Sequence, residues 1–372
     1  MKHPGSCQML GYFAVLLVAS LQYAASRDLR QVSEPKIPAS CESLRGNDRD
    51  ETSVLQKALN SCAKGRVVHL ASGTFVSGHL TIPSGVGLWI DSGVVLKASN
   101  NPKLYDTGKN LCGTLNKVYH GCSPFIRMVN TVGSMIYGKG TIDGQGGVNL
   151  VGKNQSWWDL AHEAKLKNEH QNNPILIEID NSRDIILYQV SIKNGPNYHV
   201  VVSLTDGFTA ISTGYDNVAI KASNGPSKQI SVMHNRFGPG HGMSIGSDLT
   251  VVNLTHQDAV TGLHIKSDRS RGSLVPNITY TDVCMRNITN PIDLQSEYNP
   301  TATGNFIPEY KGISYNNIKV LTPAIFTFDG YRDEKPIGAT LHNVHIAKGH
   351  TWVTRHAKIS GKYFEDASGS SC

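Results

Sequence analysis

Charge is scarce in this sequence. Only 17% of its 372 residues are Asp, Glu, Lys or Arg, against about 25% in an ordinary globular chain. There is no block of like charges and 39% of the chain is apolar, so a disordered tail is excluded. No Cys-x-x-Cys occurs, which removes the common zinc frameworks. His162-Glu163 is followed by Leu166 where a metalloprotease helix needs its second histidine. Neither a metal nor any other cofactor is therefore expected. Gly138-Lys-Gly-Thr-Ile-Asp143 lacks the strand-to-helix context of a nucleotide loop and reads as a chain corner. Beyond the N-terminus no apolar run is long enough to span a membrane, so no membrane or nucleic-acid partner is expected. The 35 Lys and Arg outnumber the 29 Asp and Glu, and this mild positive balance suits an acidic partner.

The N-terminus sets the compartment. Lys2 and His3 precede an apolar run from Leu10 to Leu21, and Ala24-Ala25-Ser26 offers small residues for cleavage. Residues 1–26 thus read as a signal peptide, 27–40 as a flexible N-terminal segment and 41–372 as one domain of a secreted, monomeric protein. Removal of the signal takes Cys7 and leaves six cysteines, an even number that reads as three disulfides. Cys112–Cys122 closes a short loop, Cys41–Cys62 braces the first helix, and Cys284–Cys372 is what remains. Sequons at Asn154, Asn253, Asn277 and Asn287 permit glycosylation in a eukaryotic host.

What is abundant is Gly (36) and Asn (27). A helix is expected over Asp50–Ala63, its apolar face formed by Val54, Leu55 and Leu59, and a second over Trp157–Lys167. Nearly everything else is short β. Val67–Leu70, Leu88–Ile90 and Val94–Leu96 are strand-like, divided by Gly, Ser and Asn turns. From about residue 175 a unit of strand, Asn- or Gly-rich turn and strand repeats, with equivalent positions near Ile220, Ile245, Ile265, Leu294 and Phe326. Strands at that period with no helix between them mark a β-solenoid. Asn and Gly tolerate its left-handed corners, and Asn side chains can stack from coil to coil. The expected fold is all-β: a single-stranded right-handed parallel β-helix capped by a short N-terminal helix.

Four segments together are specific: Thr141-Ile-Asp-Gly-Gln-Gly with Trp157-Trp158, Ser212-Thr-Gly-Tyr-Asp-Asn-Val-Ala-Ile-Lys, Gly240-His241-Gly242-Met-Ser-Ile-Gly-Ser, and Gly262-Leu-His264-Ile-Lys266-Ser. The chain resembles glycoside hydrolase family 28, the polygalacturonases, and its bacterial-type members most, from about residue 41 to 330. The resemblance implies a pectin-lyase-like β-helix acting on α-1,4 galacturonan with inversion, and pectin oligosaccharides as ligands. Such chemistry needs one carboxyl as acid and one carboxylate as base, with room for water between them. In the family these come from Gly-Asp-Asp and Asn-Thr-Asp. A His from Gly-His-Gly supports the protonation pattern, and Arg-Ile-Lys binds uronate carboxylates.

By that resemblance Asp216 and His241 are catalytic candidates and His264, Lys266 and Tyr298 bind substrate. Trp157 and Trp158 are assigned to packing rather than to sugar stacking. Three departures stand out. Tyr215 replaces the acid Asp, and a tyrosine of pKa about 10 is a poor proton donor at acidic pH. His264 replaces Arg, losing its bidentate fork and carrying charge only below about pH 6.5. Asn-Thr-Asp is absent: the segment Val201–Ala210 resembles the coil preceding it, and on the order of 30 residues are missing between Ala210 and Ile211, as if one repeat were removed. The expected result is a polygalacturonase by descent with impaired hydrolysis. The alternative is a non-catalytic pectin-binding or decoy protein that engages plant polygalacturonase-inhibiting proteins. A pectate lyase needs a calcium-binding Asp cluster, which is not found.

Overall fold

The computed structural model describes residues 32–117, 121–211, 218–221, 227–238, 243–245, 249–270, 272 and 274–372. Its strands pair almost entirely in parallel, each with the equivalent strand of the coil before and after. Three sheets run along the coil axis. The first contains Ile177–Asp180, Val200–Ser203, Val218–Lys221, Met243–Ile245 and Ile325–Asp329. The second contains Arg66–Ser72, Val86–Ile90, Arg183–Tyr188, Asp206–Ile211 and Lys228–Met233. The third holds Thr74–Ser77, Val95–Ala98, Thr141–Asp143 and Ser191–Lys193. The long strands Leu249–Lys266 and Thr279–Gln295 run through both of the first two sheets. This is the expected parallel β-helix.

Alternation within each strand fills the core. One residue per coil forms an inward column through the second sheet: Val68, Leu88, Ile136, Leu187, Ala210, Val232, Val251, Tyr280, Tyr315 and Leu341. All are buried. Each therefore removes its apolar surface from water against an equivalent neighbour above and below, the dominant favourable contribution to such a core. In the first sheet the register confirms Ile245, Ile265 and Leu294 as equivalents. It pairs Leu294 with Phe328, not Phe326; the expected position is displaced by two residues, which keeps the side chain on the same face.

The first helix spans Thr52–Ser61 and buries Leu55, Ala58 and Leu59, closing the N-terminal end. Val54 lies on its exposed side instead. The second helix, Trp157–Lys167, starts with a capping box in which Ser156 and Asp159 satisfy each other's backbone N–H. Trp157 is buried and Trp158 is half exposed. The Gly138 corner has φ of 110°, and a Cβ there would meet the Ile90 carbonyl. Of the N-terminal segment, Val32 packs against the cluster of Val67, Tyr137, Tyr188 and Ile211, and Tyr188 donates its hydroxyl to Glu34 at 3.1 Å. The three disulfides are Cys41–Cys62, Cys112–Cys122 and Cys284–Cys372.

The Asn surplus has a structural outlet. His234, Asn253, Asp282, Asn317 and Asn343 occupy one corner of five successive coils, all with left-handed φ between 52° and 55°. Their side chains form a ladder: Asn317 donates to Asp282 and Asn343 donates to Asn317, both at 2.9 Å, and Asn253 meets His234 at 3.1 Å. Asn and Asp adopt this conformation at lower cost than other residues with a Cβ. Asn317→Ala and Asn317→Gly both delete the rung, but only Ala also pays the left-handed strain of about 1 kcal/mol. Asn317→Ala is therefore expected to be the less stable of the two by about that amount, read as a lower denaturant midpoint.

Candidate functional site

Two register rows run along the coil axis of the first sheet. Ala219, Ser244, His264, Asp293 and Thr327 are in register in one row. Two residues further along each strand lie Ser203 with Lys221, and then Lys266, Gln295, Asp329 and Arg355. Parallel pairing thus brings residues far apart in sequence within a rung of each other, about 4.8 Å.

The structure brings together three of the expected residues. Lys266 Nζ sits 4.2 Å from the centre of the Tyr298 ring, and the Tyr298 and His264 rings meet edge to face with 5.9 Å between centroids. His264 is almost fully buried, whereas Tyr298 is 46% exposed. The imidazole therefore lies under the tyrosine, and Lys266 is the more accessible cation. Arg355 closes the row with Asp329 at 3.0 Å and Glu297 at 3.4 Å. Tyr215, Asp216 and His241 lie outside the described residues. Trp158 lies over Gly146 and Gly147 and donates its indole N–H to the Gly195 carbonyl at 2.9 Å.

A carboxyl that sequence reading passed over is central here. Asp293 is buried beside His264, with 3.5 Å between Oδ2 and Nε2. That is a close contact at the outer limit of hydrogen bonding. Gln295 donates to Oδ1 at 2.9 Å. Burial pushes the Asp293 pKa up; the Gln295 hydrogen bond and Lys266 pull it down, and Asp329 adds to the rise. The net direction is upward, so ionisation costs more in the folded chain than in the unfolded one. The signal was available: Asp293-Leu294-Gln295 repeats the out-in-out pattern of His264-Ile265-Lys266. A second cation was also available, since Ala219-Ile220-Lys221 has the same pattern. Lys221 Nζ lies 4.2 Å from the ring of Tyr198.

The matched pattern of glycosyl hydrolases family 28 covers residues 62–212 and 207–362, two segments that meet at the junction where the sequence places the missing coil. An endo-polygalacturonase of Pectobacterium carotovorum subsp. carotovorum is 40% identical over 396 aligned positions, covering 95% of this chain and 96% of that protein. A polygalacturonase of Ralstonia solanacearum is 33% identical, covering 84% of this chain and 80% of the other. The solved polygalacturonase of Erwinia carotovora ssp. carotovora superposes with a TM-score of 0.82 at 39% identity, over 90% of this chain and 100% of that one.

The raised Asp293 pKa fixes the sign of a pH effect. Its folded state holds the proton more tightly, so the stability linked to it is present below the unfolded carboxyl pKa and lost as pH rises through the folded value. Asp293→Asn removes this loss. The variant's unfolding temperature, relative to the parent, is expected to be higher at pH 7 than at pH 3 by thermal melts; an unchanged difference between the two pH values would contradict this.

A β-helix with these outward rows, a profile match over most of its length and relatives at 33–40% identity have one common explanation: the chain belongs to glycosyl hydrolase family 28.

Proposed function

We propose that this is a secreted, pectin-directed member of the family whose hydrolysis of α-1,4-galacturonan is strongly impaired. The observation that carries the reading is the continuity of the solenoid across Ala210 and Ile211. Val202 stacks directly on Ile220, an 18-residue step, and Ala210 stacks on Val232 in the same pair of coils. Supporting it, the family match divides at residues 207–212. The alignment with the Pectobacterium protein is also at least 24 positions longer than the 372 residues of this chain. The resemblance expects Asn-Thr-Asp at this junction, so a coil lost there would take that motif with it.

An inverting glycosidase needs a protonated carboxyl at the leaving oxygen and a carboxylate to activate water on the opposite side. With Tyr215 in the acid's place and that coil gone, Asp216 is the one remaining member of the three carboxylates, and His241 has lost the acid it supported. Each positioned acid or base contributes about 10²–10⁴-fold to rate. Secretion is supported by three disulfides, which persist in oxidising compartments. No cofactor enters the scheme.

A second reading, a non-catalytic pectin-binding or decoy protein, is favoured by the Lys266–Tyr298 pair, which keeps a cation on the outward face of the first sheet independently of the missing carboxylates. Purified protein should release reducing ends from polygalacturonic acid at least a hundredfold more slowly than an ordinary family member; a rate inside that range would refute the impairment. On a pectate column at pH 5 it should be retained, and Lys266→Gln should elute earlier than the parent. Passage without delay at pH 5 would count against the binding reading. A pull-down with a polygalacturonase-inhibiting protein separates the decoy role from simple pectin binding.

A further inference from the structure

We infer that Lys221 and Tyr198 form a second uronate-binding position, in line with Lys266 and Tyr298, so that the outward face of the first sheet grips carboxylates on alternate units of a polyuronide. The inference rests on the galacturonan reading above and adds to it a spacing and a minimum ligand length.

Register places the two lysines. Ala219 pairs with Ser244, and Ser244 pairs with His264. Lys221 and Lys266 each lie two residues further along their strands, in the same outward row and two rungs apart. Two rungs span about 10 Å, close to two units of a 1,4-linked pyranose chain laid along the coil axis. The same chemistry is present at both places. Each Nζ lies 4.2 Å from a tyrosine centroid. Tyr198 is 42% exposed and Tyr298 is 46% exposed. A lysine ammonium offers three donors, and the exposed part of each ring gives apolar surface for the C–H face of a sugar.

Tyr198 is also held in place, which a binding position requires. The turn before it is pinned on three sides. The Gly195 carbonyl accepts the Trp158 indole N–H at 2.9 Å. The Gly195 N–H donates to His199 Nε2 at 3.1 Å. Asn173 donates to the Pro196 carbonyl at 3.1 Å. Burial pushes the His199 pKa down to about 4, which favours the neutral ring that accepts this bond at neutral pH. Immediately after it, Val200 enters the sheet against Ile177 and Val218.

Calorimetric titration of the full chain with digalacturonic and trigalacturonic acid tests this. A dimer can bridge one rung and a trimer two, so trigalacturonate should bind at least tenfold more tightly than digalacturonate. In Lys221→Gln the trimer should bind no more tightly than the dimer, and Tyr198→Ala should reduce the same step. A trimer methyl-esterified on its terminal carboxyls should lose the gain in the parent protein. A trimer advantage that survives Lys221→Gln would overturn the second position while leaving galacturonan binding at Lys266 intact. Absence of binding by any oligomer, at millimolar concentration and pH 5, would overturn both.

Discussion

In-register parallel stacking is the constraint on which the rest of this molecule depends. Each coil must place an apolar residue over an apolar residue and turn its corners at the same point as its neighbours. The inward column from Val68 to Leu341 and the left-handed corner from His234 to Asn343 both follow from it. The composition follows too. Charge has few places to go in a chain whose strands each bury one face, while residues that tolerate positive φ are needed once or more per coil. Carboxylate and amide side chains at the corners are then brought a rung apart and bond to one another, so the corner residue serves both backbone conformation and inter-coil cohesion.

The same constraint explains how the junction at Ala210 and Ile211 can exist in a folded chain. Both residues lie in one strand, Asp206–Ile211, which is paired on both sides. Ala210 joins the interior column and Ile211 joins the outer cluster with Tyr137 and Tyr188. In-out alternation passes through the join without a slip, and each coil touches only its immediate neighbours. A solenoid therefore imposes little penalty on the loss of a repeat. Chemistry that drew its groups from successive coils has no such tolerance, because its groups are spaced by those very repeats.

Much of this was legible from the chain alone. The Gly and Asn corners, both helices, the repeat and the Cys41–Cys62 and Cys112–Cys122 partners are local patterns, and the residues that form them also signal them, whereas Cys284–Cys372 followed only as the remaining pair. What was not legible depends on comparisons between coils. Phe328 rather than Phe326 aligns with Leu294 because the turn length between them is not fixed by alternation. Val54 was expected on the buried helix face, but the face turned to the core carries Leu55, Ala58 and Leu59. Asp293 looked like an ordinary polar strand residue; only its rung partner, His264, and its burial reveal it. His264 itself was expected to meet substrate, yet it lies beneath Tyr298, since the tyrosine returns over the row from the following loop.

The bond between Cys284 and Cys372 has a bearing on how such a stack comes apart. A one-dimensional array frays from its ends, and the final strand, Ala357–Phe364, is largely exposed and pairs on one side with Ile337–Ile346. Cys284 lies three rungs further in, on the strand Thr279–Gln295. With the terminus fastened there, the outermost coils cannot peel off as a free tail. They can leave only as a closed loop of 88 residues whose two ends stay together, so the entropy released by unzipping is reduced. The weakest end of the array is thereby joined to its interior, and loss of the last coil becomes an event shared by three.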